Sequence, residues 1–262
     1  MPRKPPDQMT FLEHLEEFRR RLLWILGAAA VGTAGAFYFA KPLVGILLAP
    51  GGVKFQYIKP AEAFIVYLAV SFAAGLVATS PFIFYQVWRF VSPALRPREK
   101  RYVLPFVVIT SACFAAGVTF GYYLLFPAMR FFRSFQSEAL EARWTLGSYA
   151  SLALRLVLAT GLIFETPVIV FFLARLRLVS HRFLLRRWQY IIIILLIVAA
   201  ALTPGPDVFS QVLLAIPLLV LYGVSILVAY FAYPKEKRDD DEPEEPVADD
   251  DDDERRPSPY AG

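Results

Sequence analysis

The stretch "LATGLIFETPVIVFFLA" (Leu158–Ala174) is apolar enough to cross a bilayer, yet it carries one acid, Glu165, two residues before Pro167. A carboxylate facing lipid is costly, so an acid inside such a segment marks a functional or interhelical position by default. Pro167 has no N–H for the carbonyl of Ile163, which weakens the helix at that level. A bend or water access there would give the Glu165 side chain polar company. Arg155 is not its partner, because ten residues are about 15 Å of helix.

The same apolar grade recurs along the chain. Six segments are read: 22–40, 63–88, 102–126, 149–174, 188–202 and 212–233. The 262 residues are 57% hydrophobic and 15% aromatic, too apolar for a soluble domain of this length. Alternating ten-residue segments of the barrel type are lacking. The fold class is an all-α polytopic membrane protein of six transmembrane helices, with bends expected near Pro81, Pro105, Pro127, Pro167 and Pro217. The fifth segment, "WQYIIIILLIVAAAL", is short: fifteen residues give about 22 Å of helix against a core of about 30 Å.

If the segments alternate across the bilayer, Lys and Arg fall 20 on one side and 6 on the other, with Arg155 left inside the fourth. That asymmetry puts both termini in the cytoplasm. Residues 233–262 hold 13 acids and 5 bases and almost no apolar side chain, the composition of a solvated, disordered tail. The organisation read is a cytoplasmic amphipathic segment over 1–21, a membrane domain over 22–233 and an acidic tail over 234–262.

The segment before the first span is "MTFLEHLEEFRRRLLW" (9–24). Thr10 and Glu13 fit a capping box, and Phe11, Leu15, Phe18 and Leu22 form an apolar stripe at helical spacing. Glu13, Glu16, Glu17 and Arg20 gather opposite it. Glu16–Arg20 and Glu17–Arg21 are i,i+4 pairs in the favoured order, so simple helix stabilisation accounts for them. Acids beside a cytoplasmic membrane face are nevertheless unusual. In the loop "FVSPALRPREKRYVLP" (90–105), Pro97 suits a first helical turn and Glu99 suits a helix N-terminus. Glu99 and the acids of the first helix would together offer carboxylates to a cationic ligand, and a guanidinium pairs bidentately with such groups.

Four motifs in order and spacing, "HLEEFRRRL" (14–22), "YQVWRFVSPALRPREKR" (85–101), "FETPV" (164–168) and "LTPGPDVFSQVLLAIP" (202–217), resemble the TatC family, the receptor subunit of the twin-arginine protein translocase. The resemblance covers about Phe11 to Tyr233. It implies a glove-like wall of six helices that recognises twin-arginine signal peptides on folded cargo. It also implies assembly with TatA-like and TatB-like single-span proteins, homo-oligomeric copies within one complex, and transport driven by the proton-motive force. Carried over by residue, Glu17, Arg19, Phe90, Pro93 and Glu99 would bind the signal peptide. Glu165 would be the intramembrane polar site, and Thr203 and Gln211 would dock partner helices. "LTPGPD" has one glycine more than the shorter family form, which loosens the placement of Asp207.

A second reading is a proton-coupled small-solute transporter with Glu165 as proton carrier; a third is a scaffold without a ligand. The lone central acid, and halves that show no repeat, weigh against the transporter. No nucleophilic triad, phosphate loop or metal cluster is apparent, so no enzyme activity and no cofactor is expected, and nucleic acid is not an expected partner. Cys113 is the single cysteine and can form no intrachain disulfide.

Overall fold

The computed structural model describes residues 11–92, 103–137, 144–202 and 208–232. Within them the regular structure is helical: α1 (Phe11–Tyr38), α2 (Ala40–Leu48), α3 (Glu62–Val91), α4 (Val103–Arg133), α5 (Leu146–Ile163), α6 (Thr166–Arg175), α7 (His181–Arg186), α8 (Trp188–Leu202) and α9 (Val208–Ala232). A lone parallel bridge joins Gln56 and Thr145. Five stretches are long and apolar enough to cross a membrane: Leu12–Tyr38, Glu62–Val91, Leu104–Arg133, Leu146–Arg175 and Gln211–Ala232. α8 falls short of that length, as its fifteen residues imply. It does not extend backwards into Arg186 and Arg187, because Arg187 breaks the helix between α7 and α8.

The amphipathic segment and the first span form one helix, since α1 runs unbroken through position 21. α1 packs antiparallel on α3, and two glycines set how close they lie. A Cβ on Gly75 would sit 2.5 Å from the Thr33 nitrogen, and one on Gly32 would sit 2.8 Å from the Gly75 carbonyl oxygen. Bare backbone meets bare backbone there, the contact that small residues permit between membrane helices. α4 meets α5 in the same way: Cβ atoms added at Gly117 and Gly121 of "GVTFG" would touch Thr160 O at 2.7 Å and Val157 Cα at 3.0 Å. Aromatic side chains fill the α3–α4–α6 junction, where Trp88 lies 5.0 Å from Phe106 and 5.2 Å from Phe172 between ring centroids. The Trp88 indole donates to Thr110 Oγ1 at 3.0 Å.

Between the first two apolar segments lies α2 (Ala40–Leu48), a helix that the six-segment reading does not include. Its apolar run "LVGILL" (43–48) is too short to register as a span. The helix caps one end of the bundle. Other elements reach its last turn: the Tyr149 hydroxyl donates to Leu47 O at 2.8 Å, and the Tyr122 hydroxyl donates at 3.0 Å to Ile46 O, which also accepts from the Ala49 N–H. Glu62 ties the neighbouring loops together, accepting from Gly147 N at 2.6 Å and Ile58 N at 3.0 Å. Tyr149 is 3% exposed, so Tyr149→Phe strands a buried carbonyl. That change is expected to cost about 1–3 kcal/mol, read as a lower melting temperature of the detergent-solubilised protein. Tyr122→Phe removes a bond at a more exposed position and is expected to shift the melt less.

The fourth apolar segment is two helices rather than one. α5 ends at Ile163 and α6 starts at Thr166, with Pro167 in its first turn. The Glu165 N–H turns to Leu162 O at 3.1 Å, an i−3 contact that closes α5. The weakening expected from Pro167 is therefore a break, and it falls at Glu165.

Candidate functional site

The site is built where α1 begins and α3 ends, at the opposite end of the bundle from α2. His14, Phe18 and Arg21 recur at i, i+4 and i+7, which places them on one side of α1. Phe90 of α3 stacks on His14, with ring centroids 4.5 Å apart and planes inclined by 19°, and tilts against Phe18 at 5.6 Å. One turn deeper, Arg21 Nε donates to Glu17 Oε1 at 3.0 Å, and Nη2 donates to the same oxygen. Arg21 Nη1 donates to Gln86 Oε1 of α3 at 3.2 Å. Arg21 and Gln86 are both buried.

Glu17 thus departs from its expected place among the polar residues opposite the apolar stripe. It turns in toward the α1–α3 interface, with a side chain only 11% exposed, because Arg21 offsets its charge there. Leu15, Phe18 and Leu22 of the expected stripe remain exposed. Glu17 Oε2 is buried and has no hydrogen-bond partner among the described residues. Beside it opens a cleft of about 640 Å³, lined by Glu13, Glu16, Glu17, Arg19, Arg20 and Leu23.

Three of the residues expected to bind a peptide, Glu17, Arg19 and Phe90, therefore gather at this end; Pro93 and Glu99 lie outside the described residues. Arg21, Gln86 and His14 were missed as members of the site. The Glu17–Arg21 spacing was visible as a helix-stabilising pair. Only the fold reveals that Gln86 holds its far side.

Glu165 sits at the N-cap position of α6 and is 6% exposed. The chain beside it presses on α4, since a Cβ on Gly117 would lie 2.8 Å from Phe164 Cβ. Its Oε1 has no hydrogen-bond partner among the described residues. The bend is where the sequence places it. Gln211 Nε2 donates to Leu196 O at 3.2 Å and so links α9 to α8. Thr203 lies outside the described residues. No group of three His, Cys, Asp or Glu able to hold a metal ion occurs among the described residues.

Residues 13–217 match the family described as Sec-independent protein translocase protein (TatC). The chain belongs to the TatC family. It is 39% identical over 232 residues to the Sec-independent protein translocase protein TatC of Carboxydothermus hydrogenoformans, covering 87% of this chain and 96% of that one. It is 38% identical over 239 residues to the TatC of Koribacter versatilis, covering 88% of each. Its fold matches the crystal structure of the twin arginine translocase receptor TatC with a TM-score of 0.76, at 35% identity, over 84% of this chain and 99% of that one. TatC membership makes this a membrane-embedded component of a protein translocase and favours that reading over a small-solute transporter.

Proposed function

We propose that this TatC-family chain is the signal-peptide receptor of its translocase, and that the α1–α3 end of the bundle takes the twin-arginine motif. The observation that carries the reading is the Glu17 carboxylate, held between two helices with one oxygen buried and unpartnered. A buried acceptor without a donor is destabilising, and an incoming guanidinium relieves it with a charge-assisted hydrogen bond. Arg19 lines the same cleft, and Phe90 packs on His14 and Phe18 at this end of α1. Pro93 and Glu99 complete the binding set, Glu99 supplying the second carboxylate.

The remaining parts of the reading follow the family. α1, α3, α4, the α5–α6 pair, α8 and α9 are the six spans, forming a glove-like wall in the inner membrane with both termini in the cytoplasm. TatA-like and TatB-like proteins dock at Thr203 and Gln211, several copies of the chain share one complex, and the proton-motive force drives export of folded cargo. Glu165 is a polar point on the wall that meets the peptide or a partner helix.

The test of receptor function is binding of a fluorescent twin-arginine peptide to the full chain in nanodiscs, with a twin-lysine peptide as comparison. Saturable binding that prefers arginine is the expected result; absent or equal binding overturns the reading. Glu165→Gln separates the wall role from a proton carrier. Export in a reconstituted translocase is expected to stay within about threefold of wild type, because the amide keeps the hydrogen-bonding capacity and loses only the charge. Complete loss of export with peptide binding intact would instead assign Glu165 a proton step.

A further inference from the structure

The Arg21–Gln86 contact has a role in the site that its geometry defines. A guanidinium usually meets a carboxylate as a fork, one N–H on each oxygen. Here both Arg21 donors converge on Glu17 Oε1, while the third nitrogen is drawn away to Gln86 on the facing helix. The consequence is that Oε2 is left without a partner. Among the described residues, those that line the neighbouring cleft are Glu13, Glu16, Glu17, Arg19, Arg20 and Leu23, and Arg21 is not one of them.

We propose that Gln86 is a specificity-determining positioning residue: it holds the Arg21 guanidinium off the second Glu17 oxygen, so that this oxygen is kept for a guanidinium of the bound peptide. The proposal rests on the receptor reading of Glu17 and adds the device that stops the chain's own arginine from occupying the site. Three features favour this arrangement over a generic ion pair. The anchor comes from another helix, 65 residues away in sequence. Arg21 and Gln86 are both buried, which fixes their rotamers. Arginine is needed because only its planar fork reaches two acceptors in fixed directions; the lysine ammonium is a point charge on a flexible stem.

Gln86→Leu removes the acceptor while nearly keeping the volume, and Gln86→Glu keeps an acceptor oxygen. For the full chain in nanodiscs, Gln86→Leu is expected to weaken twin-arginine peptide binding about tenfold and to bring the twin-arginine to twin-lysine affinity ratio toward one. Gln86→Glu is expected to stay within about threefold of wild type in both. The ratio is the decisive readout, because a residue that only supports packing would weaken both peptides alike. Arg21→Lys provides a second route: it is expected to lower the same ratio even if Gln86→Leu folds poorly. An unchanged ratio in whichever of Gln86→Leu and Arg21→Lys melts like wild type would overturn the proposal. The receptor reading fails separately, if wild type shows no arginine preference or if Glu17→Gln binds as wild type does.

Discussion

Replacing Glu17 by Gln is expected to lower the affinity for a twin-arginine peptide by about 10- to 100-fold, the equivalent of one charge-assisted hydrogen bond of roughly 1.5–3 kcal/mol. Glutamine is the informative substitution because its carbonyl oxygen can still accept from Arg21. The buried guanidinium therefore keeps two acceptors, and the fold is expected to persist. Glu17→Ala is different. It leaves the 8%-exposed Arg21 with Gln86 alone, and breaking a buried ion pair from one side costs about 3–5 kcal/mol. A loss of binding in the alanine protein therefore mixes stability with recognition. Isothermal titration of the glutamine protein, with a melt run alongside, separates the two.

Gly75→Val is expected to be the most destructive single change to the helix packing. The added Cβ would lie 2.5 Å from Thr33 N and 2.6 Å from Gly32 C. These are backbone atoms of a helix and cannot rotate aside, so α1 must move away from α3. Overpacking of this kind costs about 1–3 kcal/mol and sometimes more, and the beta-branched side chain adds further bulk. The displaced α1 carries Glu17 and Arg21 away from Gln86, so the proposed peptide site is expected to be lost together with stability. A drop in melting temperature and loss of peptide binding in the same preparation are expected. Gly27, on α1, has open space at its Cβ position, and Gly27→Val should leave both nearly unchanged. Equal effects at the two positions would remove close backbone contact as the reason.

Much of this architecture was legible in the chain itself. Apolar runs of bilayer length are a strong signal, since a buried backbone in lipid must satisfy its own hydrogen bonds. Hence α3, α4, α8 and α9 fall near their expected ranges, and the break at Glu165 falls where Pro167 removes an N–H. Two things were not legible. α2 is too short for a hydropathy window, and the Tyr122 and Tyr149 hydroxyls that bond its last turn are far away in sequence. The inward turn of Glu17 was hidden because the i,i+4 spacing to Arg21 looks the same on a solvated helix and on a packed one. What distinguishes them is Gln86, which the antiparallel α1–α3 contact brings to Arg21. The spacing Gly32 and Gly75 share with that contact becomes meaningful only once the two helices are known to pair.

The most direct measurement is a double-mutant cycle between the receptor and its ligand. The affinities compared are those of wild type and Glu17→Gln, each for a twin-arginine peptide and for peptides with either arginine replaced by lysine. If Glu17 Oε2 receives one guanidinium, one of the two peptide substitutions will cost much less in the Glu17→Gln protein than in wild type, giving a coupling of about 1 kcal/mol or more. If both substitutions cost the same in the two proteins, Glu17 does not contact the motif, and the receptor site does not lie at the α1–α3 end of the bundle.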